Sequence, residues 1–316
     1  MKIHLVTPAP LNLDNGNKIT ALRWAAMLKQ LGHRVNVTQN YHAESCDLLI
    51  ALHARRSADS IQRFRKLHPD LPLIVVLTGT DLYRDIRADQ QSKQSLELAT
   101  RLVVLQRMAL AELPERLHAK TVVIYQSAEP CRARPSGRTK TFNVCVIGHL
   151  REEKDPLRTA LAVRRLPWES RILVTHIGTA LNDGLGEKAR AEAKSNPRYR
   201  WVGVLSHRKT REVLAGSHLA CITSKIEGSS NVLSEALACG IPVIASKISG
   251  LIGTLGESFS GYFSVGNTEQ LAKLLSRAET DSDFYRSLKR QCARVAKLVQ
   301  PKRELAEWKR LLQELS

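Results

Sequence analysis

The sequence predicts an α/β protein made of two doubly wound domains, each a parallel sheet covered by helices on both faces. Three observations carry that reading. Short aliphatic and β-branched runs alternate with helical apolar patterns along the chain. The strand runs are apolar throughout, as strands buried on both faces are. The alternation breaks once, over 127–141, and then begins again, and 316 residues exceed the usual size of a single core. Two such domains in tandem imply a cleft at the carboxyl ends of their strands, where open parallel sheets bind ligands.

The elements follow in order. "KIHLV" at 2–6 reads as a strand, and "KITALRWAAMLKQLG" as a helix stopped by Gly32, with Ile19, Leu22 and Ala26 at helical spacing. Strands are predicted at 34–38, 47–52, 71–79, 101–106 and 121–126, with a helix near 57–67. "SAEPCRARPSGRTKT" at 127–141 has the Pro, Arg, Ser and Gly content of a connection between domains. The second series runs through strands at 142–148, 171–178, 199–205 and 219–224, with helices after Asp155, at 185–195 and from about Asn231. A final helix from 301 places Leu305, Trp308, Leu311 and Leu312 on one side. The expected domains are 1–130 and 142–300, joined by a linker at 131–141, with 301–316 returning to the first.

The formal net charge is +18, which calls for an anionic partner or a strongly basic exterior. Nucleic acid is disfavoured, because the basic residues are dispersed and aromatics form only 5% of the chain, too few for base-stacking platforms. A small phosphorylated substrate suits dispersed charge better. The early apolar run at 3–6 is too short for a signal-peptide core, and no stretch approaches a membrane span, so the expectation is a cytoplasmic protein. The six cysteines, Cys46, Cys131, Cys145, Cys221, Cys239 and Cys292, show no metal-ligand spacing and are expected to be mostly buried, reduced thiols.

The chemistry concentrates in "EGSSNVLSEALACGIPVIAS" at 227–246. A strand ends, a Gly-Ser-Ser turn follows, and a helix starts near Asn231, so the backbone amides of about Ser229 to Leu233 form an anion site reinforced by about half a positive charge from the helix dipole. Gly228 removes a side chain that would obstruct a phosphate. Glu235 lies one turn in, where it opposes a diphosphate electrostatically but could accept hydrogen bonds from sugar hydroxyls. The plainer alternative makes Glu227 a helix-cap acid and Glu235 an exposed helix charge.

This segment resembles the donor-binding signature of the two-domain GT-B glycosyltransferases, Glu-Gly-x-x-x-x-x-x-Glu-Ala-x-Ala-x-Gly-x-Pro-Val. The resemblance implies two Rossmann-like domains and an enzyme that uses a nucleotide-sugar donor. It places Glu227 against the transferred sugar, the 228–233 backbone (Gly228, Ser229, Ser230, Asn231, Val232, Leu233) against the diphosphate, and Glu235 on the ribose. "VIGHLREEKDP" at 146–156 resembles the family's Gly-Arg-Leu-x-x-x-Lys turn, with Lys154 at the family lysine, His149 at the arginine and Arg151 two positions later. "LDNGNKITALRWA" resembles the family's first glycine-containing loop, which puts Gly16 near the donor sugar and Asn17 and Lys18 near the acceptor. Strand ends at 51–59, 77–85 and 124–130 add His53, Arg55, Arg56, Thr80, Asp81, Arg84 and Gln126, expected to form a cationic acceptor pocket. Glu227, Lys154 and His53 are the expected catalytic groups.

Several further stretches, "TPAPLNLDNGN", "IALHARRSAD", "LTGTDLYRDI" and "GHLREEKDP", resemble the selenosugar-forming branch of the family, which acts in selenoneine biosynthesis. That implies transfer of a hexosyl group from a UDP-sugar, UDP-N-acetylglucosamine in particular, to selenophosphate. No cofactor or metal is expected, since backbone amides and Lys154 would stabilise the leaving diphosphate. Two alternatives stay open: a glycosyltransferase with a lipid or carbohydrate acceptor, for which the helix at 60–68 offers a modest basic amphipathic face, and a non-catalytic nucleotide-binding module.

Overall fold

A computed structural model of the chain describes residues 1–8, 16–131 and 140–315. Most of the first predicted loop, 9–15, and the centre of the predicted linker, 132–139, lie outside the described residues.

The chain forms two units. The first comprises Met1–Gln126, Glu227–Ser229 and Pro301–Ser316. Its elements are β1 (Lys2–Val6), α1 (Gly16–Gln30), β2 (Arg34–Thr38), β3 (Leu48–Leu52), α2 (Ala58–Leu67), β4 (Leu73–Leu77), α3 (Ile86–Ala88), α4 (Gln90–Leu98), β5 (Arg101–Val104) and β6 (Thr121–Val123). The six strands form a parallel sheet in the order β2-β1-β3-β4-β5-β6. β3 and β4 are buried at every position, which accounts for their unbroken apolar sequences. Helix α1 ends where Gly32 takes φ 90°, a left-handed conformation that glycine adopts without strain.

The second unit comprises Ser127–Ile226 and Ser230–Gln300. It runs β7 (Phe142–Ile147), α5 (Arg158–Val163), β8 (Ile172–Ile177), α6 (Asp183–Ser195), β9 (Tyr199–Trp201), α7 (His207–Ala215), β10 (Leu219–Ile222), α8 (Asn231–Ala238), β11 (Val243–Ser246), α9 (Ser249–Leu255), β12 (Tyr262–Phe263), α10 (Thr268–Thr280) and α11 (Ser282–Val295). Its sheet is also parallel and six-stranded, in the order β12-β11-β10-β7-β8-β9. The strand order reverses at β7/β10, the point where ligands collect in such sheets.

Helix α12 (Pro301–Gln313) belongs to the first unit. Trp308 packs edge-on against Trp24 of α1, with ring centroids 4.8 Å apart, and Leu311 and Leu312 join the same apolar cluster. Glu304, fully buried, accepts hydrogen bonds from Trp24 Nε1 at 2.6 Å and from Arg23 Nε at 3.1 Å. The apolar spacing of this helix carried no signal for that buried carboxylate.

Three details depart from the sequence reading. The units divide at Gln126/Ser127 rather than after 130: Ala128 N–H donates to Val299 O at 3.1 Å and Arg211 Nη2 to Glu129 O at 2.6 Å, both inside the second unit. Glu227–Ser229 group with the first unit although the surrounding segment belongs to the second. Cys131 and Cys239 form a disulfide across 108 residues, with Cα atoms 4.5 Å apart, so not all six cysteines are thiols. The other four are free and buried; burial pushes the Cys145, Cys221 and Cys292 thiols up to about 12 and Cys46 to about 11.

Candidate active site

In the second unit, the loops that follow β7 and β10 meet at one edge of the sheet because those strands are neighbours. They are stitched together: Thr223 Oγ1 donates to Lys154 O at 2.8 Å, and Lys225 N–H donates to Glu153 O at 2.7 Å. This brings Lys154, at the end of the short turn Glu152–Lys154, to the edge from which α8 starts. Asp155 follows with φ 44°, which sharply turns the chain into α5. The stem of the half-buried Lys154 lies over Gly148, where a Cβ would stand 3.8 Å from Lys154 Cδ. Arg151 is exposed.

His149 is half-buried, and its Nδ1 accepts a hydrogen bond from Thr179 N–H at 3.2 Å. Neutral His149 therefore carries its proton on Nε2. Behind this turn, buried His176 bridges Gly148 O (Nε2, 3.0 Å) and the Tyr199 hydroxyl (Nδ1, 2.8 Å), and burial lowers its pKa to about 4. Neutral His176 thus braces the turn with an Nε2–H donated to Gly148 O.

Ser230 caps α8, its Oγ accepting Leu233 N–H at 3.3 Å. The Leu233 amide, expected to face an anion, is thereby committed to the cap, while Asn231 and Val232 occupy the first two helical positions. Glu235 is not the exposed helix charge of the alternative reading. Its side chain is 12% exposed, and Oε1 lies 3.3 Å from His207 Nε2 at the start of α7. Sequence reasoning missed His207, because a histidine after a capping serine in "SHRKT" carries no signal of its own.

In the first unit, Gly228 packs against the β4 loop. A Cβ on it would stand 2.3 Å from Thr78 O and 2.8 Å from Gly79 N. The close approach that requires a glycine here is to backbone, which the phosphate argument did not anticipate. Glu227 and Ser229 beside it are half-buried, and the Glu227 charge contributes to raising the pKa of Tyr83, after burial and Glu112.

Asp81, fully buried, accepts the amides of Ala54 (3.0 Å), Thr78 (3.0 Å) and Gly79 (2.8 Å). That saturated carboxylate holds the β3 and β4 loops together and has little capacity left for an acceptor. His53, buried and at φ 71°, accepts Arg56 N–H on Nδ1 at 3.3 Å and so donates Nε2–H to Thr80 Oγ1 at 3.0 Å. Both ring nitrogens are occupied, which makes His53 a loop-shaping residue in this conformation rather than a free base. Arg55 lies 3.7 Å from Asp85 and 3.5 Å from Asp89, and Arg84 lies 3.0 Å from Asp85. The expected cationic pocket is instead a mixed cluster, in which Arg55, Arg56 and Arg84 share the loops with Asp81, Asp85 and Asp89. Gly16 is exposed at the start of α1, with Asn17 and Lys18 half-buried. Buried Gln126 donates to Thr20 Oγ1 at 2.5 Å, and Thr20 in turn donates to Gly16 O at 2.8 Å, tying the end of the first unit to that loop. Among the described residues, no group of three His, Cys, Asp or Glu side chains is placed to hold a metal ion, and no helix is long and apolar enough to cross a membrane.

Comparison with solved structures places both sheets in the GT-B fold. The chain is similar to HepE of Anabaena in complex with UDP and glucose, at 16% identity and TM-score 0.79 over 100% of both chains. It is similar to the sucrose-phosphate synthase of Thermosynechococcus elongatus, at 16% identity and TM-score 0.79 over 99% of this chain and 98% of that one. A glycosyltransferase of Rickettsia africae aligns at 14% identity and TM-score 0.76, again over 99% and 98%. The family model described as glycosyl transferases group 1 matches residues 132–295, more than half of the 316 residues. The chain belongs to the glycosyl transferases group 1 family.

Proposed function

We propose that this protein is a UDP-sugar-dependent glycosyltransferase of the selenosugar synthase type, transferring a hexosyl group, N-acetylglucosaminyl in the first instance, to the selenium of selenophosphate with release of UDP. The observation that carries the donor half is that the loop holding His149 and Lys154 and the loop leading to the capped start of α8 follow neighbouring strands of the second unit and are hydrogen-bonded to each other, with the Glu235 carboxylate one turn into that helix. Those groups match the needs of a nucleoside diphosphate: a cation and amides for the phosphates, an acceptor for ribose hydroxyls. The solved relative HepE was captured with UDP and glucose, which supports the same donor class here.

In the reaction, a selenium lone pair attacks the anomeric carbon, a carbon–selenium bond forms, and the bond from that carbon to the diphosphate oxygen breaks, its electron pair leaving with UDP. Lys154 and the α8 amides stabilise the charge growing on the leaving group, each charge-assisted hydrogen bond contributing about 1.5–3 kcal/mol. Selenophosphate is already an ionised nucleophile, so positioning replaces a general base. Direct displacement inverts the anomeric centre. Selenophosphate as acceptor rests on the sequence resemblance of the first-unit loops and of the turn at 148–156. A neutral carbohydrate acceptor is the second reading, favoured by the pairing of Arg55 and Arg84 with Asp85, which offsets positive charge where an anion was expected.

The test is incubation of the purified protein with UDP-N-acetylglucosamine and freshly made selenophosphate, following UDP release and the product mass together. A selenium-bearing hexosamine formed alongside UDP supports the full proposal. UDP-sugar binding with no selenium product, but turnover with a sugar acceptor, selects the second reading.

A further inference from the structure

We infer that His207 is the positioning residue for Glu235 and thereby sets how strictly the protein recognises the hydroxyls of a nucleotide ribose; this deepens the UDP-sugar reading and rests on it. Among the described residues, His207 is the one side chain hydrogen-bonded to the Glu235 carboxylate, through Nε2 to Oε1 at 3.3 Å. A glutamate has three rotatable side-chain bonds, and fixing one carboxylate oxygen removes much of the freedom it would otherwise lose on binding a ligand. A carboxylate offers about four acceptor sites on two oxygens. With one of them engaged, Oε2 and the remaining lone pair of Oε1 stay available to a vicinal diol, whose two O–H groups are both donors.

The placement of His207 suits this role. It opens α7, where Ser206 Oγ caps the helix by accepting Lys209 N–H at 3.4 Å, so the backbone under the imidazole is fixed. Its side chain is 62% exposed while Glu235 is largely buried. Glu235 stands one turn from the helix start, close to where a diphosphate binds, and two negative groups there repel. An N–H donor on Oε1 offsets part of the carboxylate charge.

The experiment is calorimetric binding of UDP, 2′-deoxy-UDP and 3′-deoxy-UDP to the wild-type protein and to His207→Ala and His207→Gln. The wild-type protein should bind UDP about tenfold or more tighter than at least one deoxy analogue, the usual penalty for losing a hydrogen bond to a charged group. In His207→Ala, UDP affinity should fall by roughly tenfold and the deoxy penalty should shrink below about threefold. His207→Gln, which carries an N–H near the position of Nε2, should restore discrimination. A His207→Ala protein that discriminates as sharply as wild type overturns the inference. Wild-type protein that binds UDP without distinguishing the analogues also overturns it while leaving the donor reading intact, and failure to bind UDP at all overturns both.

Discussion

Gly228→Ala separates two reasons for a glycine at the heart of the stretch that resembles the family's donor signature. An added Cβ would stand 2.3 Å from Thr78 O, 2.5 Å from Thr78 C and 2.8 Å from Gly79 N, all backbone atoms that cannot rotate away. Reaching even 3.0 Å from the carbonyl oxygen requires a displacement of at least about 0.7 Å (3.0 − 2.3). The β4 loop is poorly able to yield, because Asp81 clamps the Thr78 and Gly79 amides, and Gly79 sits at φ 152°, open chiefly to glycine. The displacement therefore falls on Glu227–Ser229 and moves Glu227. With Glu227 against the transferred sugar, as the family resemblance implies, a misplacement near 1 Å costs on the order of 100-fold in rate, so kcat should drop about 10- to 100-fold. On the proposed assignment of the diphosphate to Lys154 and the α8 start, UDP affinity should change less than about threefold. Steady-state UDP release gives the first quantity and calorimetry the second. A variant with unchanged kcat and UDP binding weakened tenfold would show that the glycine serves phosphate approach instead, and would refute the backbone argument.

Glu304→Ala should destabilise the protein by about 3–5 kcal/mol in urea titration, since it strands Trp24 Nε1 and Arg23 beside a fully buried site. Glu304→Gln, which keeps an acceptor for Trp24, should cost only about 1–2 kcal/mol; equal losses would mean the hydrogen bonds do not matter. His176 has its pKa lowered from 6.5 to about 4, so the unfolded chain binds its proton first as the pH falls. The His176 contribution is therefore fully present above pH 6.5 and is lost at about 1.4 kcal/mol per pH unit down to about pH 4. His176→Gln should flatten the stability slope in that window, and an unchanged slope would reject the assignment. Alkylation of the unfolded, unreduced protein should modify four cysteines, and six after reduction; six in both cases would exclude the Cys131–Cys239 bond.

The alternation of strand and helix was legible residue by residue because periodicity is local: a run such as "LLIAL" can be satisfied only where both faces are covered, and β3 is buried at all five positions. The start of α8 was legible for the same reason, since a cap, a turn and an apolar helix lie within ten residues of one another. The site's partners were not. Asp81 reads as an acceptor-pocket residue until three amides from two separate loops are seen to converge on it. Arg55 and Arg84 read as an anion pocket until Asp85 and Asp89 appear beside them.

The sequence by itself determined two parallel α/β sheets, a stretch at 227–243 that resembles the family's donor signature, and a terminal helix with an apolar stripe, because each follows from neighbours close along the chain. Only the tertiary structure decided that Glu304 meets Arg23 across 281 residues, that His207 reaches Glu235 across 28, that Cys131 joins Cys239, and that Gly228 abuts Thr78. Each of those pairings depends on which strands are neighbours and which loops they bring to one edge, a long-range packing outcome that no local pattern encodes.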